Sequence, residues 1–123
     1  MNLPENLRYT ADHEWIDEEG RVGITEYAQE ALGDVVFVEL PQLGRALKAG
    51  EAFGVVESVK SVSDLYSPVG GTVVAVNTEL SIQPQLVNLH PYQGGWIIKL
   101  DTTPVDSGDL LTANAYRIQI EGA

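Results

Sequence analysis

Gly33-Asp34-Val35-Val36-Phe37-Val38 and Gly71-Thr72-Val73-Val74-Ala75-Val76 align in register, the second 38 residues after the first. The glycine and three valines coincide, so the match goes beyond the shared preference of strands for β-branched residues. A looser echo relates residues 50–56 to residues 94–98. Each half reads as a strand, a connection holding proline or glycine (Pro41 and Gly44; Pro84 and Pro91), and a second strand. Two alike β units joined by a turn imply a quasi-two-fold arrangement with the joining turn at one end. The expected fold is all-β, a flattened sandwich/barrel hybrid with short peripheral helices and a C-terminal helix.

Lys60 stands at that joining turn, in Glu57-Ser58-Val59-Lys60-Ser61-Val62-Ser63-Asp64. An apolar β-type run precedes the segment and Pro68, Gly70 and Gly71 follow it. Small polar residues around a lysine between two strands predict a tight, exposed turn. A lysine there is solvated and reachable, so an enzyme can modify it. The other two lysines lack this setting: Lys48 lies in a Leu-Lys-Ala-Gly connection and Lys99 ends a strand.

Composition narrows the function class. A chain of 123 residues predicts one domain over 1–123, with a β core about 21–101 and a C-terminal helical segment about 107–121. Strands are expected at Glu14–Ile16, Arg21–Ile24 and near 35–40, 53–58, 64–67, 71–77 and 95–100, after an irregular lead-in at 1–10. Thr25 is placed to cap a short helix, Glu26–Leu32, that stops at Gly33. A net charge of −11 excludes nucleic acid, which needs clustered Lys and Arg. No apolar run approaches the roughly 20 residues that cross a bilayer. The N-terminus lacks the features of a signal or organelle presequence, which predicts a cytoplasmic bacterial protein, or a mitochondrial matrix protein if trimmed.

Catalytic constellations are missing. With no cysteine, and with His13 and His90 far from ligand spacing, no metal site is expected. Ser58, Ser61 and Ser63 have no general base nearby in sequence. Trp15 and Trp96 read as packing residues. No residue set here supplies a catalytic centre, and the chain is not expected to be an enzyme.

The segments YTADHEW (9–15), VGITEYAQEALGDVVFVELP (22–41), GVVESVKSVSDLYSPVGGTVVAVN (54–77) and PQLVN to PYQGGW (84–96) together resemble the H proteins of the glycine cleavage system. These are lipoyl carriers of the biotinyl/lipoyl attachment superfamily. Val59 and Ser61 flank the lysine where biotin carriers usually have methionines. The HEW segment and the 23–34 helix region lie outside a minimal lipoyl domain.

The resemblance implies a lipoyl-domain-like fold and lipoate amide-linked to Lys60, with Glu57, Ser58, Val59, Ser61, Ser63 and Asp64 as the attachment motif. It implies that Glu14 and Asp64, with Asp12 close by, line a cleft for the arm. The partners implied are a pyridoxal-phosphate glycine decarboxylase (P protein), an aminomethyltransferase (T protein), dihydrolipoamide dehydrogenase (L protein) and lipoate-attaching enzymes. The aminomethyl group of glycine would travel on the arm from the first of these to the second, and the third would restore the disulfide. His90 and the less acidic tail after Tyr116 depart from the usual pattern, and the tail bears on partner docking. Two alternatives fit the same residues: an H-like lipoyl carrier for another assembly, such as lipoate relay or sulfur oxidation, and an unmodified β adaptor.

Overall fold

The structure is a computed structural model that describes residues 1–102 and 109–122. Among the described residues, nine strands form two antiparallel sheets. β1 (Arg8–Tyr9), β2 (Glu14–Ile16), β3 (Arg21–Ile24), β5 (Ala46–Leu47), β8 (Gly71–Val76) and β9 (Ile98–Asp101) make a six-stranded sheet in the order β1-β2-β3-β9-β8-β5. β4 (Val35–Glu39), β6 (Ala52–Ser58) and β7 (Val62–Tyr66) make the second, in the order β4-β6-β7. Between the sheets lies the main core, built from Ile16, Val22, Val38, Val56, Leu65 and Val73 among others.

The sequence repeat reappears as geometry. Its two copies fall in different sheets, β4 paired with β6 and β8 paired with β9. Both ladders slip by one residue at the same place. Val35 and Phe37 face Ser58 and Glu57, which leaves Val36 as the extra residue. Val73 and Ala75 face Leu100 and Lys99, which leaves Val74. These two bulged valines are 38 positions apart and about half exposed, at 52% and 49%. A bulge bends its strand and raises the local twist. Placed equivalently in both halves, it curves the sheets around one interior.

α1 (Glu26–Leu32) forms as expected, with the Thr25 hydroxyl accepting from the Ala28 N–H and Gly33 ending the helix at φ +81°. Several expectations need correction. The lead-in contains β1, because Tyr9 is drawn into a buried cluster and pairs with both Trp15 and Leu111. The last strand starts at Ile98, after Trp96 and Ile97, and extends to Asp101. The 78–89 connection holds a 3-10 turn (Thr78–Ser81) and a one-turn helix, α2 (Leu86–Leu89).

The C-terminal helix, α3, spans Ala113–Glu121 and starts later than expected. Thr112 caps it by accepting from the Ala115 N–H, and residues 107 and 108 lie outside the described residues. Alternation at 117–121 looks strand-like. The helix wins because Ala113, Tyr116 and Ile120 share one face and pack on Leu3, Leu7, Tyr9 and Trp15, while Ile118 points away.

β2 is therefore covered on both faces. Trp15 turns toward α3, its indole N–H shared between the Ile24 and Pro91 carbonyls. Opposite it on β3 is Gly23, where an added Cβ would lie 2.7 Å from the indole ring. Gly23→Ala is expected to cost about 1–3 kcal/mol through overpacking, read from urea unfolding. An unchanged midpoint would mean that the indole is not held against β3.

Candidate functional site

Lys60 is the centre of a three-residue tip, Val59-Lys60-Ser61, that joins β6 to β7. Ser58 shapes this tip. Its hydroxyl oxygen accepts from the N–H groups of Lys60 (3.3 Å) and Ser61 (3.1 Å), and its own N–H donates to the Ser61 carbonyl at 2.8 Å. These local bonds replace ladder pairing where the chain reverses. The tip is also tied to the first half of the repeat, since the Val59 N–H donates to the Asp34 carbonyl at 3.1 Å. Lys60 is exposed, and its stem passes Gly33 at the end of α1, where a Cβ would approach its Cε to 3.3 Å. Among the described residues it forms no ion pair.

The remaining motif residues divide by strand alternation. Glu57 lies across from Phe37 and Val62, and Asp64 across from Val55. Ser63 lies opposite the buried Val56. Val59, at 72% exposure, presents an apolar side chain to solvent beside the lysine.

A cleft of about 420 Å³ opens next to this hairpin. Its walls bring together the three acids singled out in the sequence, Asp12, Glu14 and Asp64, with Ser61 and Ser63 of the motif. Much of the remaining lining is apolar or aromatic, with His13, Tyr27, Ala31 and Leu32. A larger hollow of about 760 Å³ lies beyond Asp64, along Glu39, Pro41, Arg45 and Phe53. The Arg45 guanidinium in it is engaged by Glu51 at 3.2 Å. The smaller cleft adjoins the lysine and holds the buried acid.

Asp12 and Asp64 are exposed, but Glu14 is only 2% exposed. Strand geometry accounts for this. Trp15 faces α3, so its neighbours Glu14 and Ile16 face the inter-sheet core, opposite Ile24 and Val22. The Thr10 hydroxyl donates to Glu14 Oε1 at 2.8 Å, and the Tyr66 N–H reaches Oε2 at 3.4 Å. Burial outweighs these bonds and pushes the Glu14 carboxyl up to about 7, with Asp12 adding in the same direction.

His13 escaped the sequence reading as a functional residue, although it sits between Asp12 and Glu14. It has φ +73° and is the one non-glycine residue with positive φ among those described. Its ring packs on Tyr27, with centroids 4.9 Å apart, and its Nδ1 lies 2.8 Å from the Tyr116 hydroxyl. That hydroxyl is also 2.8 Å from the Thr25 hydroxyl. The three groups form a chain, Thr25–Tyr116–His13, in which the Thr25 hydroxyl also accepts from the Ala28 N–H. Burial holds the His13 pKa below the ordinary value, against the opposing pull of Asp12.

A folded-state carboxyl with a raised pKa favours folding below its unfolded value and loses that contribution as pH rises through about 7. Glu14→Gln is thus expected to stabilise the protein at pH 8 by on the order of 2 kcal/mol and to change little near pH 4. Urea unfolding at both pH values measures this. An equal effect at the two would show that Glu14 titrates normally.

The sequence matches the glycine cleavage H-protein family over residues 7–122. It is 58% identical to the glycine cleavage system H protein of Deinococcus deserti over 119 residues, covering 97% of this chain and 98% of the relative. Identity to the H protein of Deinococcus radiodurans is 58% over 116 residues, with 94% and 95% covered. The crystal structure of a glycine cleavage system H protein from Mycobacterium marinum superposes with a TM-score of 0.87 at 46% identity, covering 98% of this chain and 99% of that one. The all-β sandwich, the repeat and the HEW and Glu-Ser-Val-Lys segments fall within these matches, and the chain belongs to the glycine cleavage H-protein family.

Proposed function

We propose that Lys60 is the point of covalent lipoate attachment, and that the acidic cleft beside it receives the loaded arm. As an H protein the chain is the carrier of the glycine cleavage system and not a catalyst. One observation carries the reading of the site: an exposed lysine at a stiffened hairpin tip adjoins a cleft lined by a buried carboxyl and by apolar side chains. Those residues fit lipoate, a long apolar arm that needs a free amine at its root and, when loaded, a place for a cation.

Amide-linked to that amine, lipoate supplies a dithiolane that takes up a carbon unit with two electrons. The protein's own residues do the rest. The Ser58 bonds hold the lysine out of the sheet, so an attaching enzyme reaches Nζ without unfolding a strand. Leu32, Ala31 and Tyr27 offer an apolar wall to the arm. Glu14 faces the cleft with a proton affinity that leaves it partly neutral near pH 7. An ammonium group lodged there favours the carboxylate, so the buried acid charges as its cation arrives. Asp12 and Asp64 add negative potential at the mouth.

Partners follow from this reading: the P, T and L proteins of the system and the lipoate-attaching enzymes. The bacterial relatives support a cytoplasmic setting. No helix among the described residues is long and apolar enough to cross a membrane.

Peptide mapping of protein co-expressed with an attaching enzyme is expected to place lipoyl on Lys60. Lys99 lies within a paired strand, so it does not present a free tip. Lys60→Arg should unfold within about 0.5 kcal/mol of the wild type and lose all transfer. Lipoyl on Lys48 or Lys99 with Lys60 free would overturn the assignment, and a large stability loss in Lys60→Arg would make the lysine structural.

Glu14→Ala should shorten the lifetime of the aminomethyl-loaded protein by roughly tenfold, the scale of a shielded charge-assisted hydrogen bond. Asp64→Ala, at an exposed position, should have a smaller effect. The readout is ammonia release from isolated loaded protein. Rates equal to wild type in both variants would remove these acids from the role.

A further inference from the structure

The turn that carries Asp12, His13 and Glu14 is held from outside the cleft by the C-terminal helix. Tyr116 and Gln119 are three residues apart on α3 and so share a face. The Gln119 side chain donates to the Ala11 carbonyl at 3.2 Å, and the Tyr116 hydroxyl meets His13 Nδ1 at 2.8 Å. Tyr116 is itself immobilised. It is fully buried, stacks on Tyr9 at 4.9 Å with the rings 9° from parallel, and bonds Thr25.

Between these anchors the backbone adopts a conformation that L residues disfavour. His13 has φ +73°, which costs free energy for a residue with a Cβ and persists only where the surroundings impose it. The His13 N–H donates to the Thr10 carbonyl at 3.1 Å and its carbonyl accepts from the Thr25 N–H at 3.0 Å. The next residue is Glu14, whose N–H returns to the Thr10 hydroxyl that also binds its carboxyl. The left-handed step at His13 thus sets where β2 begins and where the Glu14 carboxyl points.

We infer that Tyr116 is a positioning residue for the cleft: from the C-terminal helix it holds His13, and through that turn it fixes Glu14 in its buried place. It need not touch the arm. The inference rests on the cleft reading above for its functional consequence, while its structural part stands on the contacts alone.

The test uses the full-length unlipoylated chain first. Tyr116→Phe keeps the ring on Tyr9 and removes only the hydroxyl. His13→Asn keeps a residue that tolerates positive φ but falls short of Tyr116. Carbon-13 detection of the glutamate carboxyls gives the Glu14 titration midpoint. Both variants are expected to lower it by about half a unit or more toward the ordinary carboxylate value, as water reaches a loosened turn. A midpoint unchanged in both would overturn the inference, whatever happens to thermal stability.

The second arm uses the loaded protein. Tyr116→Phe is expected to speed ammonia release roughly threefold, the scale of one lost hydrogen bond, and to have no such effect in a Glu14→Ala background. The same acceleration in that background would overturn action through Glu14. If Glu14→Ala alone leaves the lifetime unchanged while Tyr116→Phe still moves the midpoint, the cleft reading fails and the positioning role stands.

Discussion

The burial of β2 on both faces is the constraint on which the rest depends. A strand of three residues cannot be amphipathic in the usual way when a helix covers one side and a sheet covers the other. Trp15 goes to the helix side, and Glu14 and Ile16 go to the sheet side. An acid in that register has no route to solvent along the strand. It is retained among apolar neighbours by a threonine hydroxyl and a backbone N–H, at a raised proton affinity. Replacing it with an apolar residue of similar volume would relieve the desolvation. An acid kept at such a position points to a use for its charge.

The two-fold character of the β core serves the opposite end of the site. Equivalent bulges at Val36 and Val74 curve both ladders, and the hairpin between β6 and β7 projects Lys60. The lysine side of the site rests on the repeated core, whereas the acid side rests on the N-terminal strands and α3. The cleft lies where these two structural systems meet. Their stabilities are separable in principle, since the main core and the cluster under α3 are distinct sets of buried residues.

Much of this was legible in the chain. The repeat announced the sandwich, and the glycine-ended, threonine-capped segment announced α1. The lysine turn announced itself by composition, because small polar residues between apolar runs have few other uses. What escaped detection was tertiary. Nothing in its own letters marks Arg8–Tyr9 as a strand; it pairs with β2 and, through Tyr9, also bridges Leu111 about a hundred residues away. The alternation after Tyr116 is strand-like, yet the helix expected through residue 121 forms there, because its apolar face meets Tyr9 and Trp15. His13 looked like a histidine without ligands; its positive φ and its bond to Tyr116 are set by a residue that no spacing rule connects to it.

The bond from the Val59 N–H to the Asp34 carbonyl, and the passage of the lysine stem over Gly33, bear on how the tip is read by an attaching enzyme. The surface around Nζ is assembled from the hairpin and from the end of a helix nearly thirty residues upstream. A short synthetic peptide spanning Glu57–Asp64 has the letters of the motif but lacks the carbonyl that steadies it and the bare backbone beneath its stem. Under the proposal that Lys60 is the attachment point, an unfolded or half-made chain offers an attaching enzyme a different and looser object than the native tip, whose shape depends on Asp34 and Gly33.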